Sequence, residues 1–200
     1  AAGEHVGDLL WHLPVGLIDR RFAPPVAEAV PGRVATLTLT VDEHRPPPPG
    51  NRRVPWRVRC SDDSGTIQLV FFHAREDYLL KMLPPGEQRI VSGTVERFGD
   101  DLQMTHPDYI VPLAERAAVE TVQPVYPLTG GLSGKVLGNA IQAAIGRAPK
   151  LAEWLDPAYL TREGWPDWHS AVSQVHNPHD THDLDPSTLP RQRLAYDELL

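Results

Sequence analysis

The stretch TIQLVFFHAREDYLLKML, Thr66 to Leu83, changes from strand-type alternation to helix-type spacing within a few residues. In an extended chain successive side chains point to opposite faces, which places three apolar residues on one face: Ile67, Leu69 and Phe71. The same alternation places Phe72 on the opposite face. From Arg75 onward apolar residues recur at helical spacing, and Pro84-Pro85-Gly86 ends that pattern. We therefore predict a strand that leads directly into a helix.

The aromatic residues of this stretch allow two interpretations. Aromatic runs at strand ends usually pack in a core, so the residues alone favour burial of Phe71, Phe72 and Tyr78. If the face of Phe71 is the buried one, however, Phe72 ends the strand as an exposed ring beside His73 and Arg75. That second arrangement would be a candidate functional site.

Composition limits the class of protein. A chain of 200 residues with 41% hydrophobic residues can bury a core, and we expect one compact domain with appendages. The single cysteine, Cys60, excludes an internal disulfide framework. No signal peptide and no apolar run long enough to cross a bilayer is evident, so we expect a cytoplasmic protein without membrane contact. The formal net charge of −7 implies that any nucleic-acid contact is local.

A local basic patch does exist between His44 and Cys60, where the chain carries five arginines and no acidic residue. Guanidinium groups pair well with phosphate, so we predict backbone contacts with a nucleic acid for four of them: Arg52, Arg53, Arg57 and Arg59. His73 and Arg75 are assigned to the same group. A solvated loop beside a half-exposed strand is the alternative for Arg52 and Arg53. The run Pro46 to Pro49 indicates a stiff exposed loop.

Alternation and turn signals predict five strands, at Gly32–Val41, Pro55–Ser61, Thr66–Phe72, Gln88–Phe98 and Leu102–Thr105. Three strands, a helix and two more strands is the order of an OB-fold. The predicted fold class is mainly β with α appendages: a five-stranded Greek-key OB-fold barrel, a short N-terminal helix and a C-terminal helical arm. Gly93, inside the fourth strand, is a candidate bulge or bend.

The sequence before and after the barrel is predicted to be helical. Within Asp8–Arg20 we predict a short amphipathic helix that stops before Pro14. Beyond Val111 no strand is evident, and helices are predicted at Lys135–Ile145, Leu151–Trp154, Pro157–Thr161, Trp168–Val175 and Arg191–Leu200. Such short helices make a poor independent core. The expected division is therefore 1–31 (helix and connector), 32–111 (barrel) and 112–200 (helical linker), and the final RLAYDELL breaks off in mid-helix as if the chain were truncated.

Two segments superficially resemble nucleotide-binding motifs. LTLTVDEHR, Leu37–Arg45, is similar to an acidic box, but its strand alternates with threonines and no phosphate loop accompanies it. LTGGLSGKVL, Leu128–Leu137, departs from the phosphate-loop pattern at Thr129 and Val136. We interpret it as a turn followed by a helix that Ser133 caps.

No catalytic or metal site is predicted. Zinc needs about four converging ligands, whereas Pro178 interrupts any helical face through the four histidines His169, His176, His179 and His182. We therefore interpret these histidines as surface and capping residues. A nucleophilic site is unsupported as well, because the sequence has no G-x-S-x-G motif and Cys60 lies in strand alternation.

An ordered set of motifs resembles the N-terminal wedge region of the RecG family of ATP-dependent DNA helicases. It consists of DLLWHLP with Asp19-Arg20, FFH at Phe71–His73, HPDY at His106–Tyr109, YPLTGGLS at Tyr126–Ser133 and RLAYDELL at Arg193–Leu200. The resemblance covers nearly the whole chain.

The resemblance implies an OB-fold wedge placed at the branch point of a DNA junction, with aromatic residues after the third strand stacked on bases. It therefore reverses the interpretation of two residues: Phe72 and Tyr78 become candidates for base stacking. His73 departs from the family, which usually has Asn there, and about two additional residues precede Tyr78. The ATPase motor is absent from these residues, so no cofactor is expected here; ATP and Mg²⁺ would belong to the missing motor domain.

Three hypotheses follow. The first is a monomeric binding module for branched DNA, namely forks and three- and four-way junctions, within a helicase that remodels stalled forks and recombination junctions in DNA repair. The second is a protein-interaction or scaffold module that docks on its own motor domains or on a repair partner. The third, an enzyme with a histidine-bound metal, is the least supported.

Overall fold

The computed structural model describes residues 5–48, 50–51, 53–128 and 130–199. The chain divides into two compact units. The sheet unit comprises residues 19–121, and the helical unit comprises the residues up to 18 together with those from 122 onward. The sheet unit is thus wider at both ends than the expected 32–111. The N-terminal residues belong with the C-terminal helices instead of forming a separate connector.

The strands are β1 Gly16–Asp19, β2 Val34–Arg45, β3 Trp56–Asp62, β4 Gly65–Phe71, β5 Gln88–Thr94, β6 Glu96–Phe98, β7 Asp101–Thr105, β8 Tyr109–Val111 and β9 Val122–Val125. The α-helices are α1 Glu76–Met82, α2 Arg116–Val119, α3 Gly134–Ile145, α4 Pro157–Glu163, α5 Trp168–His176 and α6 Leu189–Glu198. Short 3₁₀ helices lie at Val6–Trp11, Val26–Glu28, Leu113–Glu115 and Thr181–Leu184.

Seven of these strands form one sheet in the order β6-β7-β4-β3-β2-β5-β8. The pair β4 and β7 is parallel, and the other pairs are antiparallel. All five predicted strands are present, but the fourth is divided into β5 and β6 at Val95, and β8 was missed. β2 is also longer than predicted and continues through the acidic segment to Arg45.

The division at Val95 bends the sheet. β5 and β6 are one residue apart in the chain, yet β7, β4, β3 and β2 lie between them in the sheet order. In a flat sheet, with strands about 4.8 Å apart, they would be separated by about 24 Å, which one residue cannot span. The sheet is therefore strongly curved. In the described residues no ladder closes it, so the predicted closed five-stranded Greek-key barrel is not confirmed.

Gly93 is not the predicted bulge. It pairs with Ala35 in an uninterrupted β2–β5 register, whereas the irregularity of β2 lies between Val41 and Glu43. A side chain at Gly93 would instead meet a neighbour: an added Cβ would lie 3.1 Å from Cα of Pro107. Glycine is needed here because residue 107 approaches the strand closely.

The predicted alternation along β4 is confirmed on its inner face. Ile67, Leu69 and Phe71 are buried in the core of the sheet unit, together with Leu79 and Leu83 at the other end of the stretch. Val70 is also buried, although it lies on the opposite face. Because β4 is an interior strand of the sheet, residues of both neighbouring strands can cover Val70. These residues are Arg57 on β3 and Thr105 on β7.

The helical unit has a core of its own, so the expected poor core was wrong. The N-terminal 3₁₀ helix, in place of the predicted amphipathic helix, contributes Leu10. It shares a buried cluster with Tyr126 and with residues of α3, α5 and α6: Leu137, Ile141, Ala144, Ile145, Ala171, Val172, Val175 and Leu194. Four of the five predicted helices are present with shifted ends, and no described helix is long and apolar enough to span a membrane.

Two expectations for this unit were wrong. Leu151–Trp154 is not helical; Glu153 Oε1 instead accepts the backbone N–H groups of Trp154 and Leu155. A strand, β9, does occur beyond Val111, and it pairs with β1. Periodicity could not reveal either feature, because β9 has four residues and its partner lies about one hundred residues away in sequence.

Candidate nucleic-acid interface

Two consecutive phenylalanines have opposite environments where β4 ends. Phe71, the last residue of β4, is 6% exposed, while Phe72 is 43% exposed. Strand geometry causes the difference, because neighbouring side chains point to opposite faces and only one face covers the core. The interpretation that leaves Phe72 exposed is therefore confirmed, although its role is a separate question.

His106 holds the backbone at Phe72. The N–H of Phe72 donates to Nε2 of His106 over 3.1 Å, and the two rings lie 5.9 Å apart at an interplanar angle of 33°. The N–H of His106 in turn donates to the carbonyl of Val70. The same imidazole meets Phe71 edge-on at 6.0 Å. One side chain therefore contacts both phenylalanines.

Left-handed backbone conformation occurs at both histidines of this site. His73 has φ 56° and His106 has φ 47°, and among the described residues they are the non-glycine residues with positive φ. Histidine, like asparagine, is enriched in this region, where most side chains are strained. Histidine is therefore a residue type that suits the left-handed conformation at position 73. Such backbone strain clusters at functional sites.

The HPDY segment, His106 to Tyr109, ties this site to the rest of the sheet unit. Asp108 accepts from the guanidinium of Arg20 at 2.9 Å, and that guanidinium lies 5.0 Å from the ring centre of Tyr109. Arg20 is buried and also donates to the hydroxyl of Ser92. The motifs DR, HPDY and FFH, far apart in sequence, are therefore physically connected.

Tyr78 lies on the exposed side of α1. It is 63% exposed, while its neighbour Leu79 and, one turn later, Leu83 are fully buried. Even if the three residue steps before α1 were fully extended, those steps and one helical turn would limit the distance between the Cα atoms of Phe72 and Tyr78 to about 16 Å. Both candidate stacking residues are thus exposed on one short segment.

The predicted arginines lie in different places. Arg57 and Arg59 are on the outer face of β3, where Arg57 pairs in register with Val70, two residues before Phe72. Arg57 donates to Oε1 of Gln68, and its guanidinium lies 5.6 Å from the ring centre of Phe98. Arg59 lies 3.7 Å from a carboxylate oxygen of Asp42. These contacts leave both guanidinium groups on the surface beside the site.

The other predicted cations lie around the start of α1 and in the proline-rich loop. His73 and Arg75 are both exposed, and Arg75 is the residue that precedes α1. Arg53 is exposed in the loop before β3. Arg52 lies outside the described residues, and its DNA contact stays a prediction.

Sequence reasoning missed the residue that positions Phe72. His106 was noticed only as part of the HPDY motif, and nothing in its neighbourhood indicated a contact with residue 72. Phe98 was missed too; it is 63% exposed on β6 beside Arg57. The contacts of both residues depend on the parallel and antiparallel pairings of β7, which a single sequence does not reveal.

The segments that resembled nucleotide-binding motifs have structural roles. Asp42 accepts from the hydroxyl of Ser61, and Glu43 pairs with Arg45. Ser133 caps α3 by accepting the N–H of Val136, as predicted. Thr129 of the glycine-rich segment lies outside the described residues.

The histidines of the C-terminal region do not converge on a metal. Within the described residues, no group of three or more His, Cys, Asp or Glu side chains could hold an ion. His179 and His182 are exposed, whereas His176 is fully buried, which differs from the predicted surface role. Its Nε2–H donates to the carbonyl of Leu10, and its Nδ1 accepts the hydroxyl of Tyr126.

Burial raises the pKa of the Cys60 thiol to about 12, so a reactive thiolate is absent.

Comparison with known proteins agrees with this architecture. The family model described as the RecG wedge domain matches residues 3–148. The ATP-dependent DNA helicase RecG of Escherichia coli K12 is 31% identical over 202 residues, covering 98% of this chain and 29% of the relative. The RecG of Synechocystis is 27% identical, with coverages of 96% and 25%. This chain therefore spans less than a third of the length of these relatives.

A solved structure has the same fold. RecG bound to a three-way DNA junction superposes with a TM-score of 0.74 at 22% identity, covering 98% of this chain and 27% of that one. The match extends over both the curved sheet and the helices. Because the family model covers most of the residues and a 31% identical relative aligns with 98% of this chain, the chain belongs to the RecG wedge-domain family.

Proposed function

We propose that this chain is the branched-DNA-binding wedge module of an ATP-dependent DNA helicase. In this proposal it sits where two strands of a fork or a three- or four-way junction part. The rings of Phe72 and Tyr78 then replace the stacking partners that the last bases lose. The curved sheet serves as an OB-fold, a class that binds oligonucleotides on its outer face and loops.

The exposed ring of Phe72 is the observation that carries this proposal. An aromatic side chain that is 43% exposed loses the benefit of burial, and here it also depends on a left-handed His106 for its position. At this exposure a large part of the Phe72 ring is open to a ligand. A fixed, exposed ring suits stacking on a base, because every base has a π-face.

Positive charge near the ring supports the same role. In this proposal Arg57, Arg59, His73 and Arg75 contact phosphates without reading sequence, and Arg53 in the adjoining loop adds a further contact. The chain as a whole carries a net charge of −7, so attraction to DNA depends on local groups of cations such as this one. Arg52 remains a candidate on sequence grounds.

The intact protein, in this proposal, remodels stalled replication forks and recombination junctions during repair in the cytoplasm. A motor domain outside these residues would bind ATP and Mg²⁺ and move the duplex arms past the wedge. That motor would also be the principal protein partner, with the chain acting as a monomer. These statements rest on the RecG relatives, of which this chain spans less than a third.

Titration of DNA substrates tests the proposal. The chain should bind a three-way junction more tightly than a linear duplex of equal length, and affinity for both should fall as salt rises. Phe72→Leu removes the flat ring but keeps apolar bulk, so the preference for the junction should decrease. Trp154→Leu, on an exposed ring of the helical unit, is the control and should leave the preference unchanged. Equal affinity of the unmodified chain for junction and duplex would contradict the proposal.

Protein docking is the second candidate function. Large apolar side chains are exposed in the helical unit as well, notably Leu151 and Trp154. Docking through such residues would bury apolar surface and release no condensed counterions, so salt would weaken it far less than DNA binding. A junction affinity that does not change between low and high salt would favour this candidate.

A further inference from the structure

A cavity of about 320 Å³ lies beside the end of β4. We infer that it binds one unpaired nucleobase of a DNA strand at the branch point. This inference rests on the proposed function and adds to it a base-binding cavity beside the stacking rings of Phe72 and Tyr78. Small-molecule sites occupy about 300 to 1,000 Å³, so the cavity is at the size of a single small ring system.

The walls of the cavity are aromatic and apolar. Trp56 and Phe71 lie side by side on one face of the β3–β4 ladder and form one wall, and Pro47 and Val54 of the proline-rich loop add apolar surface to the lining. Aromatic and apolar walls of this kind suit a base that has left its stack, because proteins read such bases by stacking and edge hydrogen bonds. A phosphate would find no such match here.

A chain of hydrogen bonds fixes the principal wall. The indole Nε1–H of Trp56 donates to Nδ1 of His44 over 3.1 Å, and Nε2–H of His44 donates to the carbonyl of Leu83 over 2.7 Å. A carbonyl can only accept and an indole N–H can only donate, so the tautomer of His44 is determined. The wall is therefore preformed, which lowers the cost of binding.

Hydrogen-bond donors lie at the rim of the cavity. His73 and Arg75 both line the cavity, and among the described residues that line it there is no carboxylate. Imidazole and guanidinium groups can donate to the oxygen and nitrogen atoms on base edges or pair with the adjoining phosphate. The combination of apolar walls and cationic rim matches a nucleotide better than an apolar peptide side chain.

The position of the cavity relative to Phe72 suggests how the two parting DNA strands are bound. Phe71 and His73 line it, whereas Phe72, which lies between them, is not among the described lining residues. The cavity and the exposed ring thus lie on opposite sides of one strand end. A base of one parting strand can stack on Phe72 while a base of the other strand enters the cavity.

The test combines a variant whose cavity is filled by a larger side chain with DNA junctions that each lack one base. Val54 lies at the cavity wall in an exposed loop, so Val54→Trp fills the space with little effect on the core. A set of three-way junctions, each with one abasic nucleotide next to the branch, removes the bases one at a time. With the unmodified chain, one abasic position should weaken binding by about tenfold. With Val54→Trp, the intact junction should be weakened similarly and that abasic position should have no further effect.

Controls separate the possible outcomes. Val54→Ala leaves the cavity open and should keep the effect of the abasic position. If Val54→Trp binds every junction as the unmodified chain does, the cavity takes no base and would remain for an apolar side chain of a protein, which overturns the inference. The proposed function survives that result if junctions are still preferred over duplex and Phe72→Leu still weakens them. If the unmodified chain is insensitive to all abasic positions, the inference also fails.

Discussion

The backbone N–H of Phe72 donates to Nε2 of His106, 34 residues later in the chain, over 3.1 Å. Because Nε2 accepts this hydrogen bond, the ring proton of the neutral histidine lies on Nδ1. The bond orients the residue that ends the strand, and the imidazole lies against the same phenylalanine ring. The position of the exposed ring is therefore set by a residue of another strand's C-terminal turn.

Replacing His106 should weaken junction binding without unfolding the chain. His106→Asn keeps a residue that tolerates the left-handed conformation but is too short to accept from Phe72. Loss of one hydrogen bond costs about 0.5 to 1.5 kcal/mol, so the dissociation constant of the junction should rise by about two- to tenfold. Thermal melting of the same variant is the control. An unchanged dissociation constant would show that the bond does not position the ring.

Phe71 and Phe72 should respond to alanine in opposite ways. Phe71→Ala removes a buried ring and should lower the free energy of unfolding by about 3 to 5 kcal/mol. Phe72→Ala should leave melting nearly unchanged and weaken junction binding by roughly tenfold, since stacking is worth about 1 to 3 kcal/mol per base. Denaturant unfolding and junction titration of both variants measure the two effects. A destabilised Phe72→Ala variant would mean that the faces have been misassigned.

Arg57→Ala should lower the salt dependence of DNA binding. Each phosphate contact contributes about 0.9 to the slope of log K against log salt, so the slope should fall by about one unit for every DNA sequence. Arg162→Ala, an exposed arginine of the helical unit that pairs with Glu163, is the matched control and should leave the slope unchanged. A slope that Arg57→Ala does not alter argues against the phosphate contact.

Buried Arg20 should be needed for both stability and binding. Arg20→Ala leaves the hydroxyl of Ser92 and the carboxylate of Asp108 without this donor, at a cost of about 1 to 3 kcal/mol. Because Asp108 and His106 belong to one short segment, junction affinity should also fall. Arg21→Ala removes an exposed partner of Asp19 instead and should change stability little. Wild-type melting of Arg20→Ala would exclude the structural role.

Acidification should destabilise the chain through His176. Burial lowers the pKa of this imidazole below its usual value of 6.5, although the Leu10 carbonyl opposes that shift, and the charges of Arg191 and His12 act in the same direction as burial. Below about pH 6.5 the unfolded chain binds a proton that the folded chain does not, so stability falls as pH decreases. The loss is at most about 1.4 kcal/mol per pH unit and ends once the folded ring is protonated.

Unfolding measured from pH 7.5 to pH 5 checks this dependence. His176→Gln should be less stable at pH 7.5, because Tyr126 loses its partner, but its stability should vary less between pH 6.5 and 5. His182→Gln, on an exposed histidine, should keep the dependence of the unmodified chain. Carboxyl groups with lowered pKa, such as that of Glu153 beside Arg193, act only below about pH 4.5 and do not affect this window. Identical pH profiles for the unmodified chain and His176→Gln would contradict the assignment.

Local sequence determined the central strand and helix of the sheet unit. The alternation of Ile67, Leu69 and Phe71 and the prolines after Leu83 gave a strand followed by a helix, as the structure has it. Both signals act between residues a few positions apart, so a single sequence contains them. The same reasoning predicted which phenylalanine faces the core once the buried face was chosen. It could not choose that face by itself, and the resemblance to a known family supplied the choice.

Tertiary structure decided what holds the candidate site. His106 reaches Phe72 because β7 pairs in parallel with β4, and the adjoining segment fits against Gly93 because glycine leaves room for Pro107. The pairing of β1 with β9 and the burial of His176 likewise join residues that are more than one hundred positions apart. Contacts of this kind depend on which strands and helices meet in three dimensions. No local periodicity encodes that choice, because it is the packing of the whole chain that lowers the free energy.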